Sequence, residues 1–129
     1  LLEAHLFASR TTQKWYADES RLATEHALLD DNGDGLGTPA DWFQGVRAVK
    51  RAKDGGQLDG FRASQWCLMR SERERAMPPE LRNKRDVVEL KIAQLREKKA
   101  SMSEDDYYAA LEPILVEMAQ IGQQIDDLQ

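Results

Sequence analysis

Asp30-Asp31-Asn32-Gly33-Asp34-Gly35-Leu36-Gly37-Thr38-Pro39-Ala40-Asp41 is the stretch on which the reading of this chain turns. Asp30, Asn32 and Asp34 put an oxygen-bearing side chain at every second position, and Gly35 follows where a sharply reversing chain needs a residue without a Cβ. Alternate side chains on so tight a loop point inward together, so the three oxygens can surround one hard cation. Counted as an EF-hand loop of twelve residues, Asp30, Asn32 and Asp34 hold positions 1, 3 and 5. Leu36 then offers its main-chain carbonyl at 7, Thr38 holds a water at 9 and Asp41 closes at 12. The expected ligand is Ca2+. Two departures lower the expected affinity. Gly37 stands at position 8, where a branched apolar residue normally pairs with a partner loop, and Asp41 is one methylene shorter than the usual Glu. The same composition also spells a plain turn, with Asp41 serving only as a helix cap.

Outward from the loop, Leu1 to about Leu29 has helical composition, with Leu2 and Leu6 on one face and no internal Pro or Gly. Asp18 or Ser20 can cap a new start, so a break near Ala17-Asp18-Glu19-Ser20 predicts two helices. On the other side Trp42, Phe43, Val46 and Val49 form a stripe opposite Arg47, Lys50 and Arg51, which predicts an amphipathic helix over 41–53. Thr38 suits its cap, Pro39 its first position and Asp41 a capping box. Residues 1–56 are thus expected to form an EF-hand-like helix-loop-helix. Residues 57–79 are a connector, with a helix over Phe61 to Arg75 or a short strand over Gln65 to Leu68.

Residues 80–129 carry the longest pattern. Leu81, Val88, Leu95 and Met102 recur every seven residues with Ile92 between, and Leu111, Ile114, Met118, Ile121, Ile125 and Leu128 step by three and four. Ser103 followed by Glu104, Asp105 and Asp106 marks a fresh helix start. Pro113 should kink the second arm near Ala109. Residues 70–99 hold ten Lys+Arg against six Asp+Glu, whereas 101–129 hold seven acids and no base. Opposite charge favours pairing of the arms as an antiparallel coiled-coil hairpin. The fold class expected is mainly α: an EF-hand-like helix-loop-helix followed by that hairpin.

Composition narrows the function classes. The chain has 129 residues, about one domain on the usual prior of roughly 100 to 200. Its net charge of −5 supplies no whole-chain basic field for phosphate backbones, so nucleic acid is not an expected partner. No apolar run approaches the roughly 18 residues of a membrane span. Cys67 has no internal disulfide partner, and one Cys with two His builds neither common structural zinc site. His5 and His26 stand far apart and read as packed or surface histidines, and Cys67 between Trp66 and Leu68 reads as a buried structural thiol. No phosphate-binding glycine loop and no Ser-His-Asp arrangement is present, so this chain is not expected to be an enzyme. It opens on Leu1-Leu2-Glu3-Ala4 in mid-pattern, which suggests part of something longer.

Leu2-Glu3-Ala4, Leu22-Ala23-Thr24-Glu25-His26-Ala27-Leu28-Leu29 running into Asp30 to Gly35, then Asp41-Trp42-Phe43 and Glu104-Asp105-Asp106-Tyr107-Tyr108, resemble the C-terminal region of bacterial caspase- or legumain-like proteins of the clan CD cysteine peptidase class. The resemblance spans nearly the whole chain. It implies that Glu3 closes a first calcium loop whose earlier ligands lie upstream. That class uses His-Gly and Cys at strand ends. Neither signature occurs here, and His5, His26 and Cys67 match none of it. The expectation is a non-catalytic, calcium-binding helical accessory region that meets a protein partner, an N-terminal domain of the same protein, or a second copy through the hairpin. A stabilising or regulatory tail of a peptidase-like hydrolase and a metal-free helical adaptor are the alternatives. The compartment stays open, with an extracytoplasmic lean if calcium is bound.

Overall fold

The computed structural model describes residues 1–50 and 56–128. The chain is mainly α-helical and divides into two compact units, Leu1–Leu68 and Met69–Gln129. The expected connector 57–79 is therefore shared between them.

In the first unit, α1 (Leu2–Asp18) puts Leu2 and Leu6 into the core. It ends by a left-handed cap. Ser20 adopts φ +53°, its N–H donates to the Ala17 carbonyl, and the Arg21 N–H reaches back to Tyr16 at 2.8 Å. This six-to-one and five-to-two bonding satisfies the last carbonyls and turns the chain away from the helix axis. Ser20 thus closes one helix instead of opening another, and the second helix expected before Leu29 does not form. Residues 21–27 carry no regular structure before β1 (Leu28–Leu29), which pairs antiparallel with β2 (Thr38–Pro39).

The helix expected over 41–53 is also corrected for 41–50, while 51–53 fall outside the described residues. A 3-10 turn (Ala40–Trp42) leads into an antiparallel hairpin of β3 (Phe43–Gln44) and β4 (Arg47–Ala48). Gly45 sits in the turn at φ +62°, a conformation easy for glycine, whereas glycine inside a helix costs about 1 kcal/mol. Phe43 and Ala48 point inward and Gln44 and Arg47 outward, the two-residue alternation of a strand. Val46 and Val49, expected on the buried stripe, are exposed. The loop at 30–41 is accordingly framed by two short ladders, not by two helices.

The short helix α2 (Phe61–Gln65) adds Ala63 to a core completed by Phe43 and Ala48, with Leu29, Ala40 and Leu58 packed at its margin. Gly60 before it has φ +104°, and a Cβ there would fall 2.5 Å from the Phe43 ring. Only glycine lets that ring and this backbone approach so closely.

The second unit opens with α3 (Glu72–Ala76), capped by the Ser71 hydroxyl accepting from the Glu74 N–H. The stretch Phe61 to Arg75 is thus two five-residue helices, one in each unit, with no strand at 65–68. Next comes α4 (Pro79–Lys98) with its first-turn proline, a 3-10 turn (Lys99–Ser101), and α5 (Glu104–Asp126), which continues through Pro113. Ser103 caps α5 as expected, its hydroxyl accepting from the Asp106 N–H at 3.1 Å. The two long helices run antiparallel: Lys91 meets Glu117 at 3.1 Å at mid-length, and Lys99 lies 5.0 Å from the Tyr107 ring at the turn. Val88 and Ile121 are buried, Leu81, Ile92, Leu95, Leu111, Ile114 and Met118 are half-buried, and Leu128 is exposed. Met77 and Tyr107, outside the repeating pattern, are buried too.

Glu74 ties α3 to α4. Its carboxylate accepts from the Arg85 guanidinium, with Arg82 Nε 3.7 Å away, while Arg82 Nη2 donates to the Glu74 and Met77 carbonyls at 2.6 and 2.8 Å. The hydrogen bond and charge of Arg85, with Arg82 and Arg70 adding to it, hold the Glu74 carboxyl below its ordinary value despite partial burial.

Candidate functional site

The loop folds on its own side chains. Asp30 accepts twice from the main chain, at Oδ1 from the Gly33 N–H at 2.7 Å and at Oδ2 from the Gly35 N–H at 3.0 Å. Asn32 Oδ1 accepts from the Asp34 N–H, and Asp34 Oδ1 from the Leu36 N–H, both at 2.8 Å. Gly33 and Gly35 take φ of +79° and +77°. Each oxygen-bearing side chain therefore bends over the backbone that follows it, a conformation that Asn and Asp adopt readily. A Cβ on Gly37 would lie 2.8 Å from Leu28 Cβ, so the ladder between β1 and β2 occupies the space a branched side chain would need. That accounts for glycine at the eighth loop position.

A carboxylate that the loop pattern does not contain organises the loop from outside. Asp59, only 3% exposed, accepts at Oδ1 from the Asp31 N–H at 3.1 Å and from Asn32 Nδ2 at 2.8 Å, and at Oδ2 from the Thr38 hydroxyl at 2.7 Å. Asp31 reciprocates: its Oδ2 accepts from the Gly60 and Ala63 N–H groups at 2.9 and 2.7 Å, which caps α2 from a distant part of the chain. Burial raises the Asp59 carboxyl above its ordinary value, outweighing the lowering effect of the bonds from Thr38 and the Asp31 backbone.

The other predicted ligands are distributed as follows. Thr38 is buried, in β2, and gives its hydroxyl to Asp59; it caps no helix, and its proton is not directed toward a loop water. Leu36 is exposed beside Asp34, and its N–H is taken up by that carboxylate. Asp41 lies in the 3-10 turn and lines a cavity together with His5 and His26. Asp30, Asn32 and Asp34 thus stand together on the loop, whereas Thr38 turns to the buried carboxylate and Asp41 borders the cavity. Among the described residues, no three His, Cys, Asp or Glu side chains group so as to hold a metal ion. Half of the six oxygens expected here come from Asn32, Thr38 and the Leu36 carbonyl, which are not of those types. Cys67, expected to be buried, is exposed, because α2 ends at Gln65 and leaves 66–68 outside the packed elements.

Asp59 escapes a reading by spacing because it acts from 21 to 28 residues beyond its partners. The only local trace is Leu58-Asp59-Gly60, a polar residue between an apolar one and a glycine just ahead of a helix. Comparison with protein-family models, curated proteins and solved structures finds no match to this chain. Among the described residues, no helix is long and apolar enough to cross a membrane.

Proposed function

We propose that this chain is a non-catalytic, calcium-binding accessory region of a larger protein, with the EF-hand-type loop at 30–41 as the ion site. The helix pair α4 and α5, read as a coiled-coil hairpin, is its surface for a protein partner or a second copy. The observation that carries the reading is the arrangement of Asp30, Asn32 and Asp34, whose side chains fold over successive N–H groups of one tight loop. Loops that grip calcium use alternate oxygen side chains on such a turn. The buried Asp59 supports the reading from outside, since it fixes Asp31 and Asn32 without taking a place among the ligands. The resemblance to caspase- and legumain-like proteins makes a peptidase-like hydrolase the candidate parent, and a longer reading frame with His-Gly and Cys strand-end motifs is the check on that.

Calcium should stabilise the first unit, and chelator should reverse it. With a dissociation constant of roughly 10 μM, about 1 mM free calcium contributes about 2.7 kcal/mol. Trp15, Trp42 and Trp66 all belong to the first unit, so thermal melts followed by tryptophan fluorescence report on it. Asp30→Ala and Asp34→Ala should abolish the shift while leaving the helical signal of the hairpin intact. An unchanged melt at millimolar calcium sinks the calcium role and leaves the metal-free adaptor.

A further inference from the structure

The only two histidines of the chain, 21 positions apart and without a metal-type spacing, line the same cavity in the first unit. One wall is a face of α1 on which His5, Ser9, Thr12 and Gln13 recur at helical spacing. Glu25 and His26 also line it, and the 3-10 turn contributes Asp41 and Trp42. The cavity volume is about 630 Å³, within the range of small-molecule sites. Two observations give it chemical character. Among the described residues, His5 Nε2 is buried with no hydrogen-bond partner, a state that costs free energy. The charged side chains lining the cavity are Glu25 and Asp41, both acidic, and no Lys or Arg stands among the described lining residues.

We infer that this cavity binds a small aliphatic amine or guanidine. Its cationic head is held by the Glu25 and Asp41 carboxylates and the face of Trp42, its N–H groups reach the polar atoms of His5 and His26, and its stem lies on the apolar remainder of the wall. Carboxylates with a guanidinium form charge-assisted bonds, and a tryptophan ring attracts a cation over its face. An anion of the same size meets like charge from both carboxylates and gains nothing.

Agmatine is the probe, with glutarate as the anionic control of similar length. On the full 129-residue chain labelled with 15N, at physiological ionic strength, agmatine should shift the Trp42 indole N–H and the His5 and His26 ring signals saturably. Glutarate should not. Glu25→Gln and His26→Gln, both at exposed positions, should each weaken agmatine about tenfold without altering the fold. Neither Glu25 nor His26 belongs to the calcium set, and Asp41, which belongs to both, is left unchanged, so the calcium-dependent melt of these variants stays as in the parent and failure of one proposal leaves the other standing. Shifts that never saturate, an equal response to glutarate, or unchanged affinity in both variants would overturn the inference.

Discussion

Asp59 shows how much one buried side chain can organise in a loop far from it in sequence. Three donors converge on its two oxygens, and each loses its partner if the carboxylate is removed. Buried donors left unpaired cost free energy, so Asp59→Ala should destabilise the first unit by roughly 2 to 3 kcal/mol. Urea unfolding followed by tryptophan fluorescence measures this, and a loss below about 0.5 kcal/mol would mean that water replaces the carboxylate at no cost. Ser20 carries the opposite expectation. It is the one residue other than glycine with positive φ among those described, in a position that helix ends usually give to glycine. A side chain in that conformation costs roughly 1 to 2 kcal/mol, so Ser20→Gly should raise the stability of the first unit by about 1 kcal/mol, read by the same unfolding curve.

At the scale of elements, α5 contains a conflict between sequence and conformation. Pro113 lies ten residues into the helix, where its ring removes one backbone donor. Its position is exposed, so an alanine there disturbs no packing. Pro113→Ala should stabilise the second unit by roughly 1 to 3 kcal/mol, and circular dichroism at 222 nm during thermal unfolding is the check. The contrast between α5 and the first unit also explains what could be read beforehand. The patterned apolar residues of α4 and α5 repeat over some twenty positions, long enough for a period to emerge, and all but Leu128 are buried or half-buried, while Val87, Tyr108, Leu115 and Val116 outside the pattern are exposed. Strands of two residues have no period to detect, so Trp42, Phe43, Val46 and Val49 fitted a helical stripe as well as a hairpin. Asp30, Asn32 and Asp34 were legible as a group because their spacing is local. Asp59, Asp31 as the cap of α2, and the lining of one cavity by both His5 and His26 depend on contacts across the chain, which no spacing encodes.

Across the whole molecule, acid should act on the second unit through a group that the tryptophans do not see. Glu74 is held below the ordinary glutamate value of 4.5 by Arg85 and Arg82, so the folded state binds its proton less readily than the unfolded state does. The sign follows directly. The contribution is complete above the unfolded value and is lost as pH falls through the lower folded value. At neutral pH Glu74→Gln removes a charge-assisted bond to Arg85 and should cost roughly 1 to 3 kcal/mol of hairpin stability. As pH is lowered from about 5 the parent should lose this advantage, and the two proteins should converge once Glu74 is protonated in the folded state. The readout is helical circular dichroism, because all three tryptophans lie in the first unit. A stability difference that stays constant from neutral pH into the acid range would show that the clamp between α3 and α4 works by shape alone, with no contribution from the charge of Glu74.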